Sequence, residues 1–151
     1  MTWDLGDLAK VLLVTVSPIS ELRVGIPLGI SLGLEPWFTF LIAVVANALV
    51  FFPVFFALRL FYKKVLFRIP LFDKYLDNLR KRGKPIVDKH GFWGLALFVA
   101  VPLPLTGAYT GTILAWLLGM NWKRAFPAVS LGVLVAGVVV LLITLGVTNA
   151  L

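Results

Sequence analysis

Hydrophobic residues fill four long blocks of the chain, and the polar positions that interrupt them fall in groups. Residues 37–58 carry no charge, and at about 1.5 Å per residue they reach roughly 33 Å, enough for a bilayer core of about 30 Å. Trp37 at one end and Arg59 with Tyr62 at the other fit interfacial anchors. Asn47 and Pro53 lie inside this span, where they predict an interhelical hydrogen bond and a kink. Residues 125–149 form a second uncharged span rich in Val and Gly. The block 92–120 is also uncharged but breaks at Pro102-Leu-Pro104-Leu-Thr106-Gly107. Two prolines remove backbone donors and disfavour helix before each ring, so each arm is about 10–15 residues long, the length of a re-entrant segment. The block 8–34 divides similarly: Pro18 and Pro27 flank Ser20-Glu21-Leu22-Arg23. Lys10 leaves a second reading open there, a kinked full span with a cytoplasmic N-terminus.

Sliding the chain on itself by 86 positions aligns the two halves. Pro18 falls on Pro104, Ser20 on Thr106, Gly25 on Gly111, Gly29 on Ala115, Gly33 on Gly119 and Phe40 on Phe126. Gly25, Gly29 and Gly33, like Gly111, Ala115 and Gly119, form a ladder of small residues that lets another helix approach closely. Each unit reads as a broken hairpin followed by a full span. If the first hairpin enters from outside, the second enters from inside. That arrangement is the inverted repeat of many secondary transporters, whose sites lie near the midplane.

Composition and charge sharpen this picture. Of 151 residues, 60% are hydrophobic and 14% charged, against roughly 45–50% and 25% in a soluble domain. The lack of Cys excludes disulfides and thiolate chemistry. The net charge of +7 comes mainly from one segment, because ten of the fourteen basic residues lie between Arg59 and Lys89. Flanked by apolar blocks, that segment reads through the positive-inside rule as a cytoplasmic loop rather than as a nucleic-acid surface. Within it, Leu71, Phe72, Tyr75, Leu76 and Leu79 form one stripe of an amphipathic helix over 71–82, predicted to lie on the membrane surface. Lys123 and Arg124 fall on the same side only if residues 92–120 enter and return.

Candidate chemistry centres on Glu21 and Arg23, the only charges between Val11 and Leu34. Charges at such depth are costly and commonly mark transport paths. Two residues apart, they point to nearly opposite sides of a helix, so a mutual bridge needs an extended tip, or else each has another partner. The balance between burial and the nearby guanidinium sets whether Glu21 carries a proton, which makes it a candidate gate. Arg23 suits phosphate because its planar fork bonds two oxygens at once. A fixed ion pair holding the hairpin is the alternative. The second tip supplies Thr106, Gly107, Tyr109, Thr110 and Thr112 without charge. Its backbone groups, hydroxyls and the helix start after Gly107 offer a seat for an anion, unless the Thr hydroxyls bond their own helix. His90 stands without metal-ligating companions, and no nucleotide loop, HExxH or nucleophile elbow occurs. Neither an enzyme nor a cofactor is expected.

The segments Pro18-Ile-Ser-Glu21-Leu-Arg23-Val-Gly25-Ile-Pro27 and Phe98-Val-Ala-Val-Pro102-Leu-Pro104-Leu-Thr106-Gly107-Ala108 resemble the small multidrug export protein family over nearly the whole chain. That family looks like a distant relative of the DedA and VTT-domain membrane proteins, whose reported or proposed work is lipid scrambling and polyprenyl-phosphate transport. On this resemblance Glu21 and Arg23 match the acidic and basic positions of the first tip. Pro102, Pro104, Thr106 and Gly107 match the second. DedA proteins commonly carry further charges near the second tip, whereas none stands here between His90 and Lys123.

The resulting expectation is an all-α inner-membrane protein with a single membrane domain over 1–151. Repeat 1 (1–58) holds hairpin 8–34 and span 37–58; a cytoplasmic linker follows at 59–90; repeat 2 (91–151) holds hairpin 92–120 and span 125–149. Its expected work is transport or scrambling of an amphipathic, anionic, lipid-like substrate, with Glu21, Arg23, Pro27, Pro102, Pro104, Thr106, Gly107 and Tyr109 at the site. Export of lipophilic cations and a structural role without transport are the alternatives. Membrane lipids and a second copy of the chain, packed through the glycine faces as a dimer, are the expected partners.

Overall fold

The computed structural model describes residues 4–62, 69–101 and 106–150. They form eight helical segments: α1 (Leu5–Val16), α2 (Glu21–Ser31), α3 (Pro36–Leu49), α4 (Phe51–Phe61), α5 (Pro70–His90), α6 (Phe92–Ala100), α7 (Ala108–Leu117) and α8 (Trp122–Ala150). No strand occurs among the described residues.

The helix ends follow local chemistry. Asp4 caps α1 by accepting from the Gly6 N–H at 2.9 Å, and α1 stops at Val16, ahead of Pro18. Segments α3 and α4 run on as one 26-residue helix, Pro36–Phe61. Its interruption at Val50 lies where Pro53 has no N–H to offer the Leu49 carbonyl, so the expected disturbance is present. This helix and the 29-residue α8 are each long and apolar enough to cross a membrane. Both extend past the predicted bounds. Arg59 joins the last turn of α4, and Lys123 and Arg124 begin α8, because interfacial turns remain helical once their side chains reach water.

Several termini recur at the 86-residue separation. Gly33 (φ 80°) ends α2, with Leu34 N–H donating to Gly29 O at 3.0 Å; Gly119 (φ 69°) ends α7, with Met120 N–H donating to Ala115 O at 2.9 Å. Next, the Glu35 side chain accepts from Trp37 N–H at 3.1 Å, and the Asn121 side chain accepts from Lys123 N–H at 3.1 Å. Each is a left-handed C-terminal cap followed by a side-chain N-cap.

Packing uses the small residues within the chain. Helix α1 folds back on α2 so closely that a Cβ on Gly25 would lie 2.0 Å from Thr15 Oγ1. A Cβ on Gly29 would meet Thr39 Cγ2 of α3 at 2.4 Å, and one on Gly111 would meet Val99 Cγ2 of α6 at 2.2 Å. Ala115 is fully buried. Gly33 and Gly119 correct the predicted ladders: a Cβ at either has nothing within 4 Å, and both serve as helix terminators. The halves interlock, with α2 and α3 packed on α8, and α4 packed on α7. Phe51 and Phe52 of α4 enclose Phe126 of α8, with centroids 5.5 and 4.6 Å apart.

The linker helix also departs from expectation. It runs from Pro70 to His90 rather than over 71–82, and Pro85 lies inside it. Its buried positions are Leu76, Leu79, Gly83 and Val87, while Leu71 is 78% exposed. The helix α5 packs on α6 and α7. Gly83 admits Leu114, whose Cδ2 would be 2.2 Å from an added Cβ, and Gly94 of α6 meets the Ile86 carbonyl at 2.3 Å in the same sense. Outside the bundle, Leu41, Leu49, Leu142 and Ile143 are more than half exposed. An apolar exterior over an apolar core suits a hydrocarbon surround rather than water.

Candidate functional site at the junction of the two breaks

The break between α1 and α2 meets the start of α7. Pro18, Ile19, Ser20, Glu21 and Arg23 from the first half and Thr106, Tyr109, Thr110 and Ile113 from the second line a pocket of about 380 Å³, which Tyr75 of α5 completes.

Glu21 opens α2 with φ 50°, the only positive φ at a non-glycine among the described residues. Its N–H donates to Ser17 O at 3.1 Å. This turn directs the side chain inward, where Glu21 is only 7% exposed. There Oε1 accepts from the Tyr109 N–H at 3.3 Å, and Asn47, Gly107 and Ala108 line the same small cavity as the carboxylate. The carboxylate therefore occupies the N-terminus of α7, where unpaired N–H groups and the helix dipole favour negative charge. The start of α7, expected from sequence to receive an anion, is occupied by the protein's own Glu21 carboxylate.

Gly107 makes this contact possible on two grounds. Its φ of 152° and ψ of −164° lie in a region reserved for glycine, and an added Cβ would fall 2.0 Å from Glu21 Oε2.

Arg23, half-buried, reaches the other broken end. Its Nη2 donates to the Thr106 carbonyl, to Thr106 Oγ1 at 3.0 Å and to Val101 O at 3.4 Å. Val101 is the C-cap of α6, so the cation sits where the dipole favours positive charge. Thr106 Oγ1 in turn donates to Val101 O at 2.6 Å. Glu21 and Arg23 thus each find partners in the opposite half, as their helical spacing allows. Tyr109 donates its hydroxyl to Val16 O, the last residue of α1.

The other expected positions separate. Thr110 and Thr112 donate to the carbonyls of Gly107 and Ala108, their own helix, which resolves their alternatives in favour of internal bonds. Pro27 lies within α2 and does not line the pocket. Pro102 and Pro104 lie outside the described residues.

Two residues join the site that sequence reasoning placed elsewhere. Asn47, 1% exposed, reads from sequence as an ordinary interhelical group; here it lines the same small cavity as Glu21, and its Oδ1 has no hydrogen-bond partner among the described residues. Its signal is being the one amide in the uncharged stretch 37–58. Tyr75 reads as part of the α5 stripe, yet it forms a wall of the pocket. Among the described residues no group of three or more His, Cys, Asp or Glu side chains could hold a metal ion.

No curated protein and no solved structure matches the chain. A family does, over residues 21–139, which include Glu21, Arg23, Thr106 and Gly107, the whole of the first long apolar helix and most of the second. The chain is a membrane protein and belongs to the family described as "Putative small multi-drug export protein".

Proposed function

We propose that the protein is a multi-pass inner-membrane transporter or scramblase that moves an anionic amphiphile, a phospholipid or polyprenyl phosphate, through the junction of two oppositely oriented halves. Each half is read as a re-entrant helix pair plus a span, and residues 59–90 as cytoplasmic. The recurrence of paired caps at 86 residues and the exchange of partners between halves support the repeat. The observation that carries the function is the Glu21 carboxylate seated on the N-terminus of α7 beside Arg23. Any anion entering this seat competes with Glu21. Protonation of Glu21 removes the competing charge and releases the Tyr109 N–H at the start of α7 to a phosphate oxygen, while the Arg23 fork holds a second oxygen. Proton uptake and substrate entry are then coupled through one position.

The family's description favours a second reading, export of lipophilic cations bound directly by Glu21. Competition in proteoliposomes separates the two. Under the first, unlabelled phosphate-bearing lipid suppresses translocation of a labelled anionic lipid and tetraphenylphosphonium does not. Suppression by the cation alone rejects it. The close approaches at Gly25, Gly29 and Gly111 are all internal, so a homodimer needs another face than the one expected from sequence.

A further inference from the structure

A second pocket, of about 490 Å³, is lined by Phe55, Arg59, Trp116, Gly119, Met120, Asn121, Trp122 and Lys123. It lies between the C-terminal turns of α4 and the first turn of α8, with the end of α7 as its third wall. Two cations from separate helices therefore converge on one concave surface. Neither Arg59 nor Lys123 forms a salt bridge among the described residues, and no acidic side chain lines the pocket.

Its surroundings place it at one level of the membrane. Tyr62 stacks edge-on against Trp116 with centroids 4.7 Å apart, Phe56 lies 6.3 Å from Trp122, and the Lys123 ammonium stands 5.9 Å from the Trp122 ring. Such amphipathic rings collect at the headgroup layer. The two long apolar helices end and begin here, so the pocket opens where hydrocarbon meets polar headgroups. The repeat itself does not impose the charge: 86 positions away, Leu145 stands for Arg59, Trp37 for Lys123 and Glu35 for Asn121.

We infer that this pocket binds the phosphate headgroup of an anionic phospholipid, at a site separate from the Glu21–Arg23 junction. The headgroup oxygens meet Arg59 and Lys123, the α8 cap region supplies polar backbone, and the acyl chains follow the aromatic wall of Phe55 and Phe56 into the bilayer. A free phosphate would use the cations but gain nothing from the aromatic walls at the hydrocarbon edge.

The test measures thermal stability of the purified full chain in detergent, with added phosphatidylglycerol, phosphatidylcholine or inorganic phosphate. Phosphatidylglycerol is expected to raise the unfolding midpoint, and the other two are not. The Arg59→Gln/Lys123→Gln double variant is expected to bind phosphatidylglycerol about tenfold more weakly. Arg80→Gln/Lys81→Gln, which removes the same charge from exposed positions on α5, is expected to keep the full shift. Equal stabilisation by phosphatidylcholine, a full shift in the pocket variant, or loss of the shift in the α5 variant overturns the inference. Reproduction of the shift by inorganic phosphate overturns its lipid character. Should the pocket variant not fold, native mass spectrometry of the wild type decides: retained phosphatidylglycerol in preference to phosphatidylcholine supports the site, and no preference rejects it. Because Arg59 and Lys123 are outside the junction, their variants leave competition at Glu21 measurable, so failure here is distinct from failure of the transport reading.

Discussion

At the scale of single residues, sequence and geometry constrain each other most tightly at a few positions. Glu21 holds a left-handed conformation that non-glycine residues avoid, and the surrounding contacts keep it there. Gly107, 86 positions on, has both a glycine-only backbone conformation and no room for a Cβ. Gly107→Ala is therefore expected to cost about 1–3 kcal/mol from backbone strain alone, read as a fall in the unfolding midpoint of the purified protein. The variant is also expected to push Glu21 off the α7 N-terminus and impair transport. Arg23→Lys keeps the charge but replaces the fork with a point donor. Proteoliposome assays are expected to show it about tenfold slower with anionic lipid, and wild-type rates would remove the fork from the mechanism. Glu21 and Arg23 were legible in the sequence because a charge inside an apolar block is costly and persists only where a partner or a task holds it. Asn47 was not, because its partner lies on another helix and only the tertiary fold brings the two together.

At the scale of elements, proline and glycine announce most breaks, and the sequence locates them well. Pro18 and Pro53 both mark interruptions that the structure contains. The ladder glycines were harder to read, since spacing alone does not separate a glycine that admits a neighbouring helix from one that ends its own. Gly25 and Gly29 do the first, Gly33 and Gly119 the second. This difference has measurable consequences. Gly25→Leu forces α1 from α2 and is expected to destabilise by about 3 kcal/mol, whereas Gly33→Ala meets open space and is expected to cost only about 1 kcal/mol through its left-handed backbone. Equal losses in the two variants would contradict the packing described for α1 and α2. The length of α5 escaped prediction because the apolar stripe that marks it ends at Leu79; beyond it, Gly83 is where Leu114 enters, and packing on α6 and α7 carries the helix past Pro85.

At the scale of the whole molecule, the charged side chains at the first break are held by the second, an exchange that the proposed opposite orientation of the two halves accounts for. A carboxylate at one helix start and a guanidinium at one helix end together satisfy termini that a membrane interior would otherwise leave unpaired. Orientation has its own test, because the chain contains no native Cys. Trp37 and Lys123, both exposed and 86 positions apart, are suited to single-cysteine labelling. Trp37→Cys and Lys123→Cys are expected to react with an impermeant maleimide from opposite sides, and reaction from one side would abolish the inverted arrangement. The most direct test of the central claim is the translocation of a labelled anionic lipid across proteoliposomes, comparing wild type with Glu21→Gln over a range of pH. Wild type is expected to translocate with a rate that depends on pH. Glu21→Gln, which cannot exchange a proton at this position, is expected to lose that dependence while remaining folded. An unchanged pH profile in the variant, or no translocation by the wild type, would contradict the account.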